Sequence, residues 1–489
     1  MAVYVMRTEL QPRTTESFEK ILKSWRAFGD SLIVDVLRNV ASPCTATMTD
    51  EGGRVAAAAT TEAPQTPEDR LASLAKPPGS LGLLETWAAT LCHAQNSLTP
   101  TADPASVVVF CGDHGVKAAE FGISPFPPSV SQAVFRALAA GISATGVLTA
   151  AAGAHLTAVD VGIDGDVADV GGASARHDKV GRGTADFRSA PAMDDGAFDC
   201  ALAAGAAALA TEVEERGVRV VGVGEVGIGN TTASAAVLAM LLSFDDENKK
   251  EGEGGRSGDP GDCCGRGTGV DDEGLERKKT VVREACAFHR EAVDAEVAAA
   301  VARERSAAAA GGSPETEARV RRSAHARAVL RRVGGFELVA MAGAFLEAAK
   351  PRTNTDASSS PSSSTSSSSS SFRVVVLVDG FISAVAALAA VRMDPTSDGA
   401  VRRGMLFATQ LAEEPSSPFG GGLLAAAIDA ASPDDVASCD TALSMGLRLG
   451  EASGAALAIP LARSAAAMVS RMGTLQEAMA LGSGSRSSS

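Results

Sequence analysis

A carboxylate, Glu225, stands within a glycine-rich stretch whose composition is otherwise typical of an anion-binding loop. Residues 218–223 form a short apolar, β-branched run that predicts a buried strand, and residues 224–230 predict a turn that a phosphate can approach. A helix is predicted from Thr231 onward, and its first backbone N–H groups can meet an anion. Because a carboxylate among backbone donors is unfavourable for phosphate binding alone, this stretch indicates proton chemistry or base recognition as well.

The same stretch also matches the fingerprint of a dinucleotide-binding loop. Gly222, Gly224 and Gly227 spell G-x-G-x-x-G after a predicted strand, and Asp245 or Asp246 follows roughly 20 residues later. The fingerprint requires its acidic residue at the end of a second strand, whereas here the helix leads directly into a charged segment without apolar periodicity. An NAD-dependent dehydrogenase is therefore an alternative, but the context of the motif does not favour it.

Composition limits the classes of partner. The chain has 489 residues with 45% hydrophobic residues, which is enough for one large α/β unit or for two or three average domains. Aromatic residues make up only 4%, so little surface is available for stacking single-stranded nucleic acid. A net charge of -15 argues against nucleic acid and against an anionic membrane surface. A small anionic substrate remains compatible if donors are concentrated locally.

The eight cysteines are scattered without a C-x-x-C pair. This pattern favours reduced thiols in an intracellular compartment, cytoplasmic or organellar, over a disulfide framework or a zinc site. Asp113 and His114 follow a predicted strand, but no third ligand follows at helical spacing, so they are expected to be loop hydrogen-bonding residues. No uninterrupted apolar run reaches the roughly 18 to 20 residues that a membrane span needs.

Further strands step along the chain at intervals that leave room for helices. They are predicted in ASVVVFCGDHGV, AHLTAVDVGID and FRVVVLVDGF, with another in GMLFATQLA from Gly404. Strands alternating with Ala-rich helices indicate an α/β fold, a Rossmann-like and mainly parallel sheet flanked by helices. Because the clear strands end in Gly with Asp or Glu, one rim of the sheet is expected to collect the polar residues. The abundance of Ala and Gly predicts that the helices pack closely.

Several segments do not fit this alternation. Residues 245–265, 303–316 and 353–371 are charged, Ala/Gly-rich or nearly pure serine, and each predicts a disordered insertion that cannot bury enough apolar surface to fold. The tail 482–489 is predicted to be disordered as well. Residues 1–65 form an N-terminal extension, partly disordered, whose function cannot be predicted.

A rigid loop is predicted around Pro125, Pro127 and Pro128, before a helix that begins at Ser129 and carries Gln132. Ser124 and Gln132 could face a pocket from this loop and helix. The alternative is a capped turn at the surface.

Nine segments, taken together and in order, resemble one enzyme family. They are KPPGSLGLLE, CGDHGV, GISPFPPSVSQ, VDVGI, GEVGIGNTT, GTGVDDEGLERK, GGFELVAMAGA, LVDGF and MGLRLGEASGAALAIP. From residue 67 to 478, apart from the insertions, the chain is similar to nicotinate-nucleotide:dimethylbenzimidazole phosphoribosyltransferases, which make the lower nucleotide of cobalamin.

The resemblance implies a large domain, 101–445, with a parallel six-stranded sheet. It implies a smaller helical domain built from 66–100 and from 446–481, and a homodimer. The implied reaction transfers the phosphoribosyl group of nicotinate mononucleotide to dimethylbenzimidazole, with inversion at C1′. Because nicotinate with its positively charged ring nitrogen is already a good leaving group, no metal or other cofactor is expected.

The resemblance also implies two catalytic glutamates. It places the base on Glu451, and the apolar neighbours Leu449, Ala452 and Ala455 would raise the pKa of this carboxyl toward the value that a general base needs. Without the resemblance, Glu451 would be interpreted as a helix-terminal residue near the helix dipole. Glu225 matches the second glutamate, which helps to hold or deprotonate the azole.

The remaining implied site residues bind substrate. Ser124 and Gln132 match positions that line the benzimidazole pocket, and Lys278 matches a lysine whose cation would offset the phosphate charge. The backbone amides of the glycine-rich stretch would form the phosphate nest, and the ribose side would be lined from the end of a strand. These expectations concern Gly227, Gly229, Asn230, Thr231 and Thr232 for the nest, and Asp379 and Gly380 for the ribose.

The sequence departs from the family pattern at three points. No Gly-His pair follows the segment LFATQLAEEPSSPFGGG, and Pro128 and Val226 replace more usual residues. Val226 beside Glu225 can reshape the azole pocket, so the acceptor could be a different base, such as adenine or a phenolic compound. A third possibility is a partner-docking scaffold that keeps the fold without turnover.

Overall fold

The computed structural model describes residues 66–483, apart from 119–121, 128, 248–257, 268, 308–312, 354–370, 397, 412–420, 434–435 and 437. The predicted extension 1–65 lies outside the described residues, as does 484–489 of the predicted tail. All described residues belong to one compact unit, 63–489.

The helices are α1 (Pro67–Ser73), α2 (Leu83–Gln95), α3 (Gly115–Ala118), α4 (Ser129–Ala139), α5 (Ala144–Ala151), α6 (Asp195–Arg216), α7 (Asn230–Glu247), α8 (Asp272–Ala307), α9 (Pro314–Val333), α10 (Phe336–Ala348), α11 (Gly380–Met393), α12 (Ala400–Arg403), α13 (Gly421–Ala430), α14 (Ser453–Arg471) and α15 (Leu475–Ser483). The strands are β1 (Ala105–Gly112), β2 (His155–Gly162), β3 (Ala175–His177), β4 (Val220–Val226), β5 (Arg352–Thr353), β6 (Ser371–Phe372), β7 (Val375–Val378), β8 (Met405–Thr409) and β9 (Thr441–Leu443).

A parallel sheet is the centre of the described fold. Its seven strands lie in the order β3-β2-β1-β4-β7-β8-β9, and every pairing is parallel. The predicted α/β class and the strands β1, β2, β4, β7 and β8 are confirmed. The implied count of six strands is too low, because the two edge strands, β3 and β9, have only three residues each and give no clear sequence signal.

Both faces of the sheet are covered by helices, which explains the continuous apolar runs of the central strands. Along β1, Val108 and Phe110 face the core that includes α6 to α11, whereas Val107, Val109 and Cys111 face the core that includes α2 and α14.

Helix packing is close where small residues meet, as the composition predicts. A Cβ on Gly205 of α6 would lie 1.7 Å from the carbonyl oxygen of Ala340 on α10. One on Gly343 of α10 would lie 2.1 Å from the carbonyl oxygen of Leu202. Only glycine fits at either position, so the two helices approach each other at backbone distance.

Segments from both ends of the described chain come together. Helix α2 packs against α14, and the α1 side chain of Arg70 donates hydrogen bonds from Nε to the carbonyl of Val469 (3.0 Å) and from Nη2 to that of Met472 (2.6 Å). Leu74 and Thr474 add an antiparallel bridge. The segments 66–100 and 446–481 are therefore in contact, and a separate small domain built from them stays a prediction.

Strand β4 is longer than the sequence indicates. It continues to Val226 because β1 runs alongside it, with Cys111 paired to Val226. The predicted turn over 224–230 is therefore wrong in its first half, and only 227–229 connect β4 to α7. Glu225 consequently lies within the last two residues of a fully buried strand.

The predicted insertions are ordered at their ends. Helix α7 extends to Glu247, α8 to Ala307, and α9 begins at Pro314. Residues 260–263 form a 3-10 turn capped by Asp259, whose carboxylate pairs with Arg283. The predictions for 245–265, 303–316 and 353–371 were therefore too wide, since Thr353 lies in β5 and Ser371 in β6, and the predicted tail wrongly included 482–483 of α15. Residues 248–257, 308–312 and 354–370 lie outside the described residues.

Three helical stretches, 129–151, 195–216 and 453–471, are long and apolar enough to cross a membrane by length and composition alone. Isolated charged residues and glycines interrupt these stretches, so no uninterrupted apolar run of that length marks them in the sequence.

Candidate active site

A cavity of about 510 Å³ opens at the carboxyl ends of the parallel strands. Its walls come from the segments that follow β4, β7 and β8, from the loop before α4, from the start of α8, and from the segment that precedes α14. Ten of the twelve predicted site residues line it: Ser124, Glu225, Gly227, Gly229, Asn230, Thr231, Lys278, Asp379, Gly380 and Glu451.

Gln132 and Thr232 do not line this cavity. Gln132 turns its side-chain amide toward the carbonyl of Asp164 at 3.5 Å, and its neighbour Ser131 lines the cavity instead. Thr232 is 0% exposed, and its amide donates to the carbonyl of Gly229 at 3.1 Å. Because α7 begins at Asn230, Thr232 faces the core, so its predicted place in the phosphate nest was wrong.

Glu225 projects from the end of β4 into a buried environment. Asn230 donates a side-chain hydrogen bond to its Oε2, and Gly450 packs so close that a Cβ there would lie 2.8 Å from its Oε1. Burial raises the pKa of Glu225 well above its ordinary value, and the nearby carboxylates of Glu337 and Glu451 add to the effect, whereas the Asn230 hydrogen bond opposes it. This carboxyl therefore holds its proton more tightly than an exposed glutamate does.

Glu451 faces the cavity from the segment before α14. Its amide donates to the carbonyl of Glu225 at 3.3 Å, which brings the two glutamates together. The residue is 9% exposed, and its Oε2 is buried without a hydrogen-bond partner in the described part of the chain. Burial raises the pKa of this carboxyl, opposed by the nearby Thr145 hydroxyl, in the direction expected from its apolar neighbours.

The connection between β4 and α7 offers fewer free donors than predicted. The amide of Ile228 donates to Asp113 Oδ1 at 3.2 Å, and that of Asn230 turns back to a carbonyl of the loop at 3.4 Å. The amides of Gly229 and Thr231 have no acceptor among the described residues. Gly229 has φ +105°, which glycine adopts readily. These two amides at the start of α7 are therefore available as hydrogen-bond donors.

Lys278 brings a positive charge to this helix start. It lies on α8, is 1% exposed, and its Nζ donates to Thr231 Oγ1 at 3.0 Å and to the carbonyl of Gly265 at 2.6 Å. The ammonium therefore lies beside these amides in a low-dielectric setting, where an anion would gain a charge-assisted partner.

Asp379 directly follows β7, and Gly380 begins α11. Both oxygens of Asp379 accept hydrogen bonds within the protein, from Thr409 Oγ1 at 2.5 Å and from the amide of Gly454 at 2.7 Å. Burial raises the pKa of Asp379, and these hydrogen bonds oppose the shift. Gly380, at φ +74°, has no atom within 4 Å of its would-be Cβ and borders open cavity.

Asp113 links helix α4 to two loops beneath the cavity. It accepts from Ser131 Oγ at 2.5 Å, from the amide of Asp164 at 2.8 Å and from the amide of Ile228 at 3.2 Å. Burial raises the pKa of Asp113 against these hydrogen bonds. The expectation that this residue is a loop hydrogen-bonding residue is confirmed, and one of its partners is the amide of Ile228 in the connection between β4 and α7.

A buried ion pair lies behind Glu225 and was not predicted. His114 Nε2 and Glu337 Oε1 are 2.8 Å apart, and both side chains are 0% exposed. Burial lowers the pKa of His114, but the adjacent Glu337 carboxylate outweighs it, so the pKa of His114 is raised overall. The available signal was an acidic residue inside the apolar segment GGFELVAMAGA of α10.

The first two glycines of the G-x-G-x-x-G motif serve packing. Both lie within β4, where a Cβ on Gly222 would be 2.7 Å from Ala455 Cβ and one on Gly224 would be 2.3 Å from the amide nitrogen of Ala452. The start of α14 therefore covers the strand at the place where a dinucleotide loop would turn. No group of three or more His, Cys, Asp or Glu residues in the described ranges could hold a metal ion.

Known proteins of one enzyme family are similar to this chain in sequence and in fold. A phosphoribosyltransferase family model matches residues 56–319 and 367–480. The chain is similar to the nicotinate-nucleotide--dimethylbenzimidazole phosphoribosyltransferase of Bradyrhizobium sp. BTAi1, with 37% identity over 413 residues, 84% of this chain and 93% of the relative. The enzyme of the same name from Pseudomonas putida KT2440 is 35% identical over 410 residues, 84% of this chain and 92% of the relative. The fold is similar to the crystal structure of CobT from Thermus thermophilus, with a TM-score of 0.61 and 30% identity over 84% of this chain and 96% of that one.

Proposed function

Because the chain belongs to the nicotinate-nucleotide:dimethylbenzimidazole phosphoribosyltransferase family, we propose that its cavity transfers the 5-phosphoribosyl group of nicotinate mononucleotide to 5,6-dimethylbenzimidazole. The products are α-ribazole 5′-phosphate, for the lower ligand of cobalamin, and nicotinate. The observation that carries this proposal is the pairing of two buried glutamates with an anion-binding helix start in one cavity.

The phosphate end of the mononucleotide binds at the start of α7. The amides of Gly229 and Thr231 lie at the N-terminal end of α7, which is the positive pole of the helix dipole. The Lys278 ammonium lies beside them. In a chain with a net charge of -15, these donors supply the local positive potential that a phosphate needs.

The acceptor base binds against the apolar wall of the cavity. Phe126, Val130, Val134, Val226 and Leu449 line it, and together they suit a flat aromatic ring. Val226 stands next to Glu225, so it helps to set the width available to the ring. Adenine or a phenolic compound is the competing acceptor for this same site.

The chemical step needs a base and a place for positive charge. As an azole nitrogen bonds to C1′, the C1′–N bond to nicotinate breaks, its electron pair neutralises the pyridinium nitrogen, and C1′ inverts. Glu451 takes the azole N–H proton and Glu225 orients the azole, while the negative charge on Glu451 favours the oxocarbenium-like C1′ at the transition state. A raised pKa makes Glu451 a stronger base than an exposed glutamate.

The close contact between Glu451 and Glu225 supports positioning of the reactants as the main source of the rate enhancement. The backbone amide of Glu451 donates a hydrogen bond to the carbonyl of Glu225 at 3.3 Å, which holds the base close to the orienting side chain. We extend the proposal to a homodimer, as the family resemblance implies, and to a reaction without metal.

The test is a direct assay of the purified protein. Nicotinate mononucleotide is incubated separately with dimethylbenzimidazole, adenine and p-cresol, and nicotinate release and ribosylated product are followed by chromatography with mass spectrometry. We expect dimethylbenzimidazole to give the highest kcat/KM. Higher kcat/KM with another base would reassign the acceptor, and absence of product with every base would refute the transferase. Light scattering tests the homodimer.

A further inference from the structure

The backbone that carries Glu451 is strained. Gly450, Glu451 and Ala452 have φ values of 82°, 59° and 61°, so three successive residues lie in the left-handed region. Side chains other than glycine rarely adopt this conformation, and it persists only where the surrounding structure holds it. Some contact must therefore fix this segment.

The carboxylate of Asp379 is one such contact. Its Oδ2 accepts from the amide of Gly454 at 2.7 Å, and its Oδ1 accepts from Thr409 Oγ1 at 2.5 Å. Asp379 follows β7, Thr409 ends β8, and Gly454 lies in the first turn of α14, three residues after Glu451. One buried side chain thus joins two strand ends to the helix that follows the catalytic segment.

The fit around this contact leaves no room for adjustment. A Cβ on Gly454 would lie 2.4 Å from Asp379 Oδ1 and 2.2 Å from Thr409 Cγ2. On the other side, the Glu451 amide is bonded to the carbonyl of Glu225. Glu451 is therefore held from both ends, by the strand β4 before it and by Asp379 after it.

We propose that Asp379 is a positioning residue for Glu451: it anchors α14 to the ends of β7 and β8 and thereby fixes the left-handed segment that presents the base. This inference rests on the proposed transferase function. It differs from the sequence prediction that Asp379 lines the ribose, because both oxygens of the carboxylate already accept protein donors.

Three variants separate these roles. Asp379→Ala removes both hydrogen bonds, and Thr409→Val removes only one with little change in shape. Asp379→Asn keeps both, since its amide oxygen can accept from Gly454 and its NH₂ can donate to the Thr409 hydroxyl. We expect Asp379→Ala to lower kcat about 10²-fold, the cost of a base misplaced by about 1 Å, with little change in KM for nicotinate mononucleotide.

Thr409→Val should lower kcat less, and Asp379→Asn should retain most of it. The decisive measurement repeats Asp379→Ala in a Glu451→Gln background, where it should cost no further activity because the base through which Asp379 acts is gone. A general loss of structure would lower kcat further in that background. Circular dichroism and thermal melting check that each variant is folded. If Asp379→Ala is unfolded, Thr409→Val and Asp379→Asn are compared in the same way, each alone and in the Glu451→Gln background, to test positioning.

The outcomes are distinct. No turnover by the wild-type protein would refute the proposed function itself. If the wild type turns over but Asp379→Ala raises KM for nicotinate mononucleotide, and its loss of kcat adds to that of Glu451→Gln in the double variant, positioning is refuted. Direct binding of the ribose by Asp379 is then favoured. An Asn variant as inactive as Ala would also overturn the inference, because it would assign the effect to the charge of Asp379.

Discussion

Replacing Glu451 by glutamine is the sharpest test of the proposed chemistry. The amide has the shape of the carboxyl but cannot accept the azole proton at neutral pH. The segment is held through the backbone amide of Glu451 and through the bond between Asp379 and Gly454, and the substitution touches neither. Substrate binding should therefore survive while the proton-transfer step fails.

The size of the loss follows from the role. A general base contributes about 10²- to 10⁴-fold, or about 2.7–5.4 kcal/mol at 1.36 kcal/mol per tenfold. Glu451 Oε2 is buried and has no hydrogen-bond partner among the described residues, so this oxygen is available to accept the azole proton. Because burial raises the pKa of Glu451, ionising it costs folding free energy, and Glu451→Gln should melt at the same temperature as wild type or higher at neutral pH.

The assay is steady-state release of nicotinate, with KM for each substrate and binding of nicotinate mononucleotide by calorimetry. Glu212→Gln is the matched control, because Glu212 is a buried glutamate at the amino ends of the strands, bonded to Ser106 Oγ (2.9 Å) and Thr157 Oγ1 (2.7 Å). It should lose about 1–3 kcal/mol of stability with kcat unchanged. Wild-type kcat in Glu451→Gln would remove Glu451 from the role of base.

Three further variants test the rest of the cavity. Burial raises the pKa of Glu225, so the folded protein keeps a proton that the unfolded chain loses above about pH 4.3, and its stability falls as pH rises. Glu225→Gln should weaken this fall in thermal melts from about pH 4 to 8. An unchanged slope would show that Glu225 is not the group with the raised pKa. Lys278→Met should raise KM for nicotinate mononucleotide by about tenfold or more, and an unchanged KM would exclude a phosphate contact. Gly229→Ala, at φ +105°, should raise the same KM. The control Gly217→Ala, at φ +68° with no atom within 4 Å of the added Cβ, should only lower stability. Equal effects of the two variants on KM would refute phosphate binding by the connection between β4 and α7.

The strands that position the site could be predicted because burial on both faces leaves a clear pattern. β1, β2 and β4 are almost wholly buried and form nearly unbroken apolar runs. The edge strands β3 and β9 are short and partly exposed, so no pattern marks them. The end of β4 was misplaced for a related reason: glycines that suggest a turn are required here for contact with the start of α14, which lies more than 200 residues away in sequence.

The site could be predicted by residue type but not by contact. Polar residues after strands indicated the correct rim of the sheet, and Glu225, Lys278 and Glu451 do meet there. What each side chain bonds to depends on long-range packing, so the capture of Asp379 by Thr409 and Gly454 had no local signal.

The charge distribution of the cavity gives the proposed reaction an order. Glu225, Glu451 and Asp379 are close together and buried, and each has a raised pKa, so ionising one makes ionisation of the next more costly. The nicotinate ring of the mononucleotide carries a positive charge, and C1′ becomes more positive as that ring departs. Bound nicotinate mononucleotide therefore favours the ionised form of Glu451, whereas the neutral azole does not. The base is then most available when nicotinate mononucleotide is already bound, because the negative charge on Glu451 and the positive charge that develops at C1′ stabilise each other at the transition state.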